Sequence, residues 1–197
     1  MSEQLAAALQ AGDEAAFTAV FNDHADQIYR LARGLLADDV QAECVVQDTF
    51  MRLLTKPHLF DGRADISTWL YRVAYNLSLD RLRRGQRQVA WDGSDDALDA
   101  LAPPTVLFDW RQLPEDWLAT ADLHEQLDTA VRSLPEKLRA VFILREVEQL
   151  STADCAAVLD ISESSVKVRL HRARLQLRET LSAYLAETHA ARKTKTT

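Results

Sequence analysis

Apolar residues recur at three- and four-residue steps through most of the chain, the spacing of helices with one buried stripe. Phe17, Val20, Phe21, Ile28, Leu31 and Leu35 form such a stripe, which predicts a helix from about Asp13 to Leu36. A shorter helix, Leu5 to Leu9, precedes it and ends near Gly12. Asp38 and Asp39 offer N-caps for a third helix, Val40 to Leu54, with Val46, Phe50, Leu53 and Leu54 on its apolar face. Lys56-Pro57-His58 stops that helix, and Phe60 to Asp65 reads as a loop containing Gly62. Ser67 or Thr68 then caps a helix from Trp69 to about Arg84, whose apolar set is Leu70, Val73, Ala74, Leu77 and Leu82.

The periodicity breaks between Gly85 and Ala121, where Pro103, Pro104 and Pro114 stand among acidic residues. A connection of this length is unusual inside one compact domain, so it reads as a flexible linker. Trp91, Phe108, Trp110 and Trp117 within it suggest a segment that docks on something. Helical spacing resumes at Leu123 to Ser133, then Pro135 to Gln149 with Pro at the first helical position. Ser151 caps a short helix ending near Leu159, and Ser162 or Glu163 opens a long one reaching Leu185. The chain therefore reads as all-α: two small helical domains, an N-terminal helical bundle over 1–87 and a C-terminal helix-turn-helix domain over 122–185, joined by a long acidic linker over 88–121 and followed by a frayed basic tail over 186–197.

Charge sharpens this picture because it is segregated. The formal net charge of −7 argues against nucleic acid as a partner. Yet Ile66 to Arg87 holds Arg72, Arg81, Arg83, Arg84 and Arg87 against Asp80 alone, and Ser164 to Arg178 holds Lys167, Arg169, Arg172, Arg174 and Arg178 with no acid. Seven acids against Arg111 fill the stretch between them, Gln88 to Ala121. Two basic helical stretches separated by an acidic one form a pattern that the net charge alone hides. The five histidines are scattered and the two cysteines, Cys44 and Cys155, stand alone, so no metal, cofactor or small-molecule substrate is expected. No nucleophile–base–acid set and no Gly-rich phosphate loop is present, which argues against an enzyme. The N-terminus lacks a basic n-region, no apolar run approaches the ~20 residues of a membrane span, and a cytoplasmic protein is expected.

Ser151 to Arg174 has the layout of a helix-turn-helix: a short helix, a turn at Leu159-Asp160-Ile161, and a second helix with Val166, Leu170, Ala173 and Leu177 inward. Ser164, Ser165, Lys167 and Val168 at its start are placed to reach base edges, and the later arginines to meet phosphates. The motif alone also suits a conventional regulator that binds duplex without a polymerase.

Leu134-Pro135-Glu136-Lys137-Leu138-Arg139-Ala140-Val141-Phe142, Leu150-Ser151 and Val166-Lys167-Val168-Arg169-Leu170-His171-Arg172-Ala173-Arg174 together resemble the fourth conserved region of extracytoplasmic-function (ECF) sigma factors. Gln47-Asp48-Thr49-Phe50 resembles that family's polymerase-binding helix, and Phe60, Gly62, Thr68-Trp69-Leu70-Tyr71-Arg72, Asn76 and Arg83-Arg84 its −10-reading segment. The resemblance implies a sigma factor that binds core RNA polymerase through the β′ clamp helices and the β flap and directs it to promoter DNA, under a separate anti-sigma factor or other regulator. By matching position it implies clamp contacts at Glu43, Cys44, Gln47, Asp48 and Phe50. It places −10 contacts at Phe60, Asp61, Gly62, Arg63, Trp69, Arg72, Asn76, Arg83 and Arg84. It places −35 contacts at Ser164, Ser165, Lys167, Val168, His171, Arg172 and Arg174. The Trp69 to Arg84 stretch favours a sigma factor over a conventional regulator, which has no need to melt DNA. Gln41 and Cys44 stand where the family usually has acids, so the chain is expected to face a basic clamp with less negative charge than its relatives.

Overall fold

The computed structural model describes residues 2–86 and 121–194, with side chains described over 2–84 and 126–181. The acidic linker read over 88–121 lies outside the described residues except for Ala121. Eight α-helices, in chain order, make up the described part: α1 (Ser2–Gln10), α2 (Glu14–Leu36), α3 (Asp39–Thr55), α4 (Ile66–Gln86), α5 (Ala121–Ser133), α6 (Glu136–Phe142), α7 (Thr152–Leu159) and α8 (Glu163–Thr194). No helix among the described residues is long and apolar enough to cross a membrane.

Short polar side chains start these helices where the sequence places them. Asp13 accepts from the amides of Ala15 and Ala16, Asp38 from Gln41, and Ser151 from Asp154. Helix α4 begins earlier than expected. Its start is held by Asp65, which accepts from the amide and the hydroxyl of Ser67, so Ser67 lies inside the first turn and is not the cap. The helix expected from Pro135 to Gln149 also differs: α6 ends at Phe142 and a π-helical turn, Ile143–Val147, follows. There the Glu148 amide donates to the Ile143 carbonyl, and Gln149 closes the turn in the left-handed region at φ 55°. Helix α8 runs on to Thr194 instead of fraying after Leu185, because nothing between Glu163 and Thr194 is Gly or Pro.

Helices α2, α3 and α4 wrap one core in which Ile28, Leu31, Leu35, Val45, Leu53 and Leu70 are fully buried. Helices α5 to α8 wrap Val141, Leu144, Val158, Val166 and Leu177 in the same way. Each such side chain contributes about 1.5–3 kcal/mol by leaving water. The two lobes are docked. Helix α2 packs on α6 and the π turn, α4 packs along α7, and the buried residues of both lobes form one cluster. Gly34 of α2 supplies a notch for Ile143: a Cβ built on it would lie 2.6 Å from Ile143 Cδ1. A flexible joining of the lobes was the expectation; the docking residues lie too far apart in sequence for local periodicity to show them.

The Asp65 cap gives a first test. Its two hydrogen bonds from Ser67 hold the carboxyl below the usual aspartate range. The stability it adds is therefore present above the unfolded value of about 4 and is lost as pH falls through the lower folded value. Asp65→Ala should cost about 1 kcal/mol at pH 7, read by thermal melting, with the gap from wild type narrowing as pH falls through the lowered folded value.

Candidate nucleic-acid and partner interfaces

On α4, side chains that do not face the core form an exposed stripe. Arg72, Asn76, Asp80, Arg83 and Arg84 are exposed, at steps of three or four residues, so the first four share one side of the helix. From Arg72 to Arg83 the stripe spans about 17 Å at 1.5 Å per residue. Of the aromatic positions nearby, Phe60 is buried at 1% exposure and meets Trp69 edge-on, ring centroids 6.0 Å apart. Trp69 is half-buried and donates from Nε1 to the Leu59 carbonyl. Phe60 is thus a wall behind the surface here, and Trp69 is pinned with only part of its ring outward.

The loop before α4 is fixed by α1. Gln10 donates to the Phe60 carbonyl, and Gly62, at φ 75°, sits so close to Ser2 and Glu3 that any Cβ would meet their backbone at 2.9 Å. Asp61 accepts from the Arg63 amide and pairs with its guanidinium at 3.3 Å, leaving both side chains exposed. Sequence reasoning found α1 but no role for it; Gly62 was the available signal, since a loop glycine under close approach marks what presses on it.

Helix α3 turns Glu43, Gln47 and Asp48 outward beside the exposed apolar residues Val40, Met51 and Leu54, with Cys44 half-buried. Phe50 is core: it meets Phe17 and Phe21 edge-on and stands apart from that outer face. Two of the polar groups are already engaged within the lobe. Arg81 of α4 donates from Nη1 to Gln41 Oε1 at 2.7 Å and from Nη2 to Asp48 Oδ2 at 2.6 Å. Arg81 thereby ties α4 to α3 and is not a free cation, which the arginine count alone did not reveal.

The second lobe presents α7 and α8. Asp160 makes the turn in the left-handed region at φ 57°, the Ile161 amide donates to Ala156, and the Ser162 hydroxyl caps α8 by accepting from the Ser165 amide. Ser164 and Lys167 are exposed at the start of α8, and Ser165 and Arg172 are half-buried. Arg174 is turned inward to Glu146 of the π turn, Nη2 to Oε1 2.6 Å, and serves the lobe. Val168 and His171 are buried at 5% and 9% exposure. At about 100° per residue Val168 points about 200° away from the core residue Val166, so α8 is covered on two sides.

Between the lobes lies an ionic cluster that sequence reasoning missed. Glu148 accepts from Arg30 Nε and Nη2, both at 2.8 Å, and from the Tyr71 hydroxyl at 2.8 Å. Burial first, then this hydrogen bond, pushes the Tyr71 phenol well above its usual range. Alongside, burial pushes Tyr75 up to about 12, with Arg169 near enough to pull against the shift. Arg72 faces Asp160 across the same seam at 4.0 Å.

The fold and these surfaces define a two-lobed helical DNA-binding protein with separate basic faces on α4 and on a helix-turn-helix. The family model for sigma-70 region 2 matches residues 20–88 and that for sigma-70 region 4 matches residues 124–177. The chain is 32% identical over 170 residues to the ECF RNA polymerase sigma factor SigW of Bacillus subtilis, covering 86% of this chain and 91% of that one. It is 34% identical over 185 residues to the ECF sigma factor SigE of Mycolicibacterium smegmatis, covering 90% and 67%. It belongs to the ECF family of RNA polymerase sigma factors. Solved structures share the fold: CnrH in complex with the cytosolic domain of CnrY has a TM-score of 0.67 at 24% identity, covering 93% of this chain and 99% of that one. The sigma factor RpoE in complex with the anti-sigma factor NepR, from Bartonella quintana, has a TM-score of 0.64 at 24% identity, covering 84% and 96%.

The Arg81 bridge changes what the missing acids predict. Gln41→Asp places its new charge on Arg81, inside the lobe, and should raise stability by at most about 1 kcal/mol without tightening polymerase binding. Cys44→Asp adds a charge one helical turn from both Gln41 and Asp48 and should tighten binding to core polymerase, the gain shrinking as salt rises. Titration of each variant against core polymerase at two salt concentrations, beside a thermal melt, separates the two outcomes.

Proposed function

We propose that the three exposed surfaces divide the work of a sigma factor among them: α3 binds core polymerase, α4 with the loop before it reads and opens the −10 element, and the helix-turn-helix reads the −35 element. The observation that carries this reading is the exposed stripe Arg72, Asn76, Arg83 and Arg84 on one lobe beside an independent helix-turn-helix on the other.

The chemistry suits each task. Opening a duplex exposes bases and gathers phosphates, so it needs cations on a firm support and a shaped polar edge. Helix α4 supplies the arginines, Asn76 the amide, and α1 holds the Asp61–Asp65 loop in place. On α3, Glu43, Gln47 and Asp48 ringed by Val40, Met51 and Leu54 give an acidic and apolar face suited to a basic helical partner. On α8, Ser164, Ser165 and Lys167 sit at the helix start, where a helix entering the major groove meets base edges, and Arg172 follows for a phosphate. Phe60 and Phe50 act from behind these surfaces, by setting Trp69 and α3 in place.

The protein works by binding and positioning, with no reaction of its own, and acts in the cytoplasm where the polymerase is. A separate anti-sigma factor controls it; support comes from the solved sigma factor RpoE, which is held by the anti-sigma factor NepR. Run-off transcription with core polymerase tests the assignment. Lys167→Ala and Arg172→Ala should each lower promoter-specific initiation about tenfold, the worth of one positioned contact, while core polymerase binding stays at the wild-type level. If both variants initiate normally, the recognition helix is misassigned.

A further inference from the structure

Four carboxylates stand on α3 or at its cap, and the lobe already engages three of them. Asp38 accepts from the Gln41 amide as the cap of the helix. Asp39 accepts from the Tyr29 hydroxyl at 3.0 Å and pairs with Arg33. Asp48 accepts from Arg81 Nη2 at 2.6 Å, while Arg81 Nη1 donates to Gln41 Oε1 at 2.7 Å. Glu43 alone has no ion-pair partner among the described residues. At about 100° per residue Val40, Gln47 and Leu54 fall within about 60° of Glu43, whereas Asp48 lies about 140° round, on the flank toward α4.

Arg81 differs from the arginines near it. Arg83 and Arg84 stay exposed, whereas the Arg81 side chain is 24% exposed and held at both arms of its guanidinium. It cannot swing away from Asp48 without also giving up Gln41. Asp48 keeps 52% of its side chain in solvent, so a cation of a partner can come up to it. That cation meets the guanidinium as well, and two opposite charges in contact present little field a few ångströms further out. We propose that Arg81 is an affinity-determining residue for core polymerase: it withholds Asp48 on the flank of α3 and leaves a chiefly apolar face, Val40, Met51 and Leu54, around the single carboxylate of Glu43. By sequence Arg81 belongs to the −10-reading helix; by its partners it belongs to the polymerase face. This role rests on the assignment of α3 to core polymerase.

Titration of the full chain against core polymerase, without DNA and at two salt concentrations, reads this role, with a thermal melt to show that each variant folds. Arg81→Gln should tighten binding about threefold to fivefold at low salt, the size of one partly exposed ion pair, and that gain should shrink as salt rises. A residue that only braced α4 against α3 would give the opposite sign or none. Arg81→Lys keeps a cation beside Asp48 and should show little of the gain. In an Asp48→Asn background Arg81→Gln should bring no gain, because the carboxylate it releases is gone. Glu43→Gln and Met51→Ala test the assignment beneath: the first should weaken binding chiefly at low salt, the second at both concentrations. If either weakens binding while Arg81→Gln binds no tighter, the polymerase face stands and the role of Arg81 is overturned. A gain that persists in the Asp48→Asn background overturns it too. If neither Glu43→Gln nor Met51→Ala weakens binding, α3 is not the polymerase face and the role of Arg81 falls with it.

Discussion

Glu148 is a charge with almost no access to water, and that constraint organises the join between the two lobes. An ion in such a place destabilises the fold unless a counter-ion meets it in good geometry, and removing one partner from a buried pair is typically worth about 3–5 kcal/mol. Arg30 meets it with two parallel hydrogen bonds while keeping about half of its own side chain in solvent. The π turn is what aims the carboxylate: widening the helix after Phe142 and ending it on Gln149 in the left-handed region turns Glu148 away from its own lobe. A regular α-helix through Gln149 would carry that carboxylate to a different azimuth.

The arginines that composition groups together do different jobs, and their surroundings sort them. Arg81 is taken by Gln41 and Asp48, Arg174 by Glu146, and Arg30 by Glu148. Arg83 and Arg84 stay exposed on α4, and Lys167 on α8. Arg72 is exposed as well, and its long contact with Asp160 is the kind of surface pair that contributes little. The cations that hold the fold are thus separate from those free for phosphate, and a net charge of −7 is no obstacle to a protein whose free cations lie on two faces.

The fold was legible wherever the information is local. Helical spacing located the helices, and short polar residues located most of their starts, because both act within one or two turns. Asp65 was overlooked in favour of Ser67 since the two lie in the same turn and Asp65 caps through both the amide and the hydroxyl of Ser67. The π turn left no trace in apolar spacing, as Val141, Phe142 and Leu144 are buried under either helical form. Motif positions named the three surfaces, but not which members point outward: Phe50, Phe60, Val168 and His171 are buried in this structure, and only packing decides that. Least legible was the ionic cluster between the lobes, because Arg30 and Glu148 are 118 residues apart and neither stands out in its own helix.

The strength of such a seam has two sources. The apolar part of the seam, where α4 lies along α7, contributes at about 25 cal/mol per Å² removed from water. Were the lobes joined by surface ion pairs alone, each contributing under about 1 kcal/mol, they would drift apart. The seam combines an apolar contact, α4 along α7 within one continuous cluster, with one buried carboxylate in a three-donor site and one isoleucine in a glycine notch. The contribution of the ionic part is concentrated in a few directional contacts, so it is sensitive to any rotation of one lobe against the other. The directional contacts thus set which residues of the two lobes meet, while the apolar contact supplies the area over which they meet.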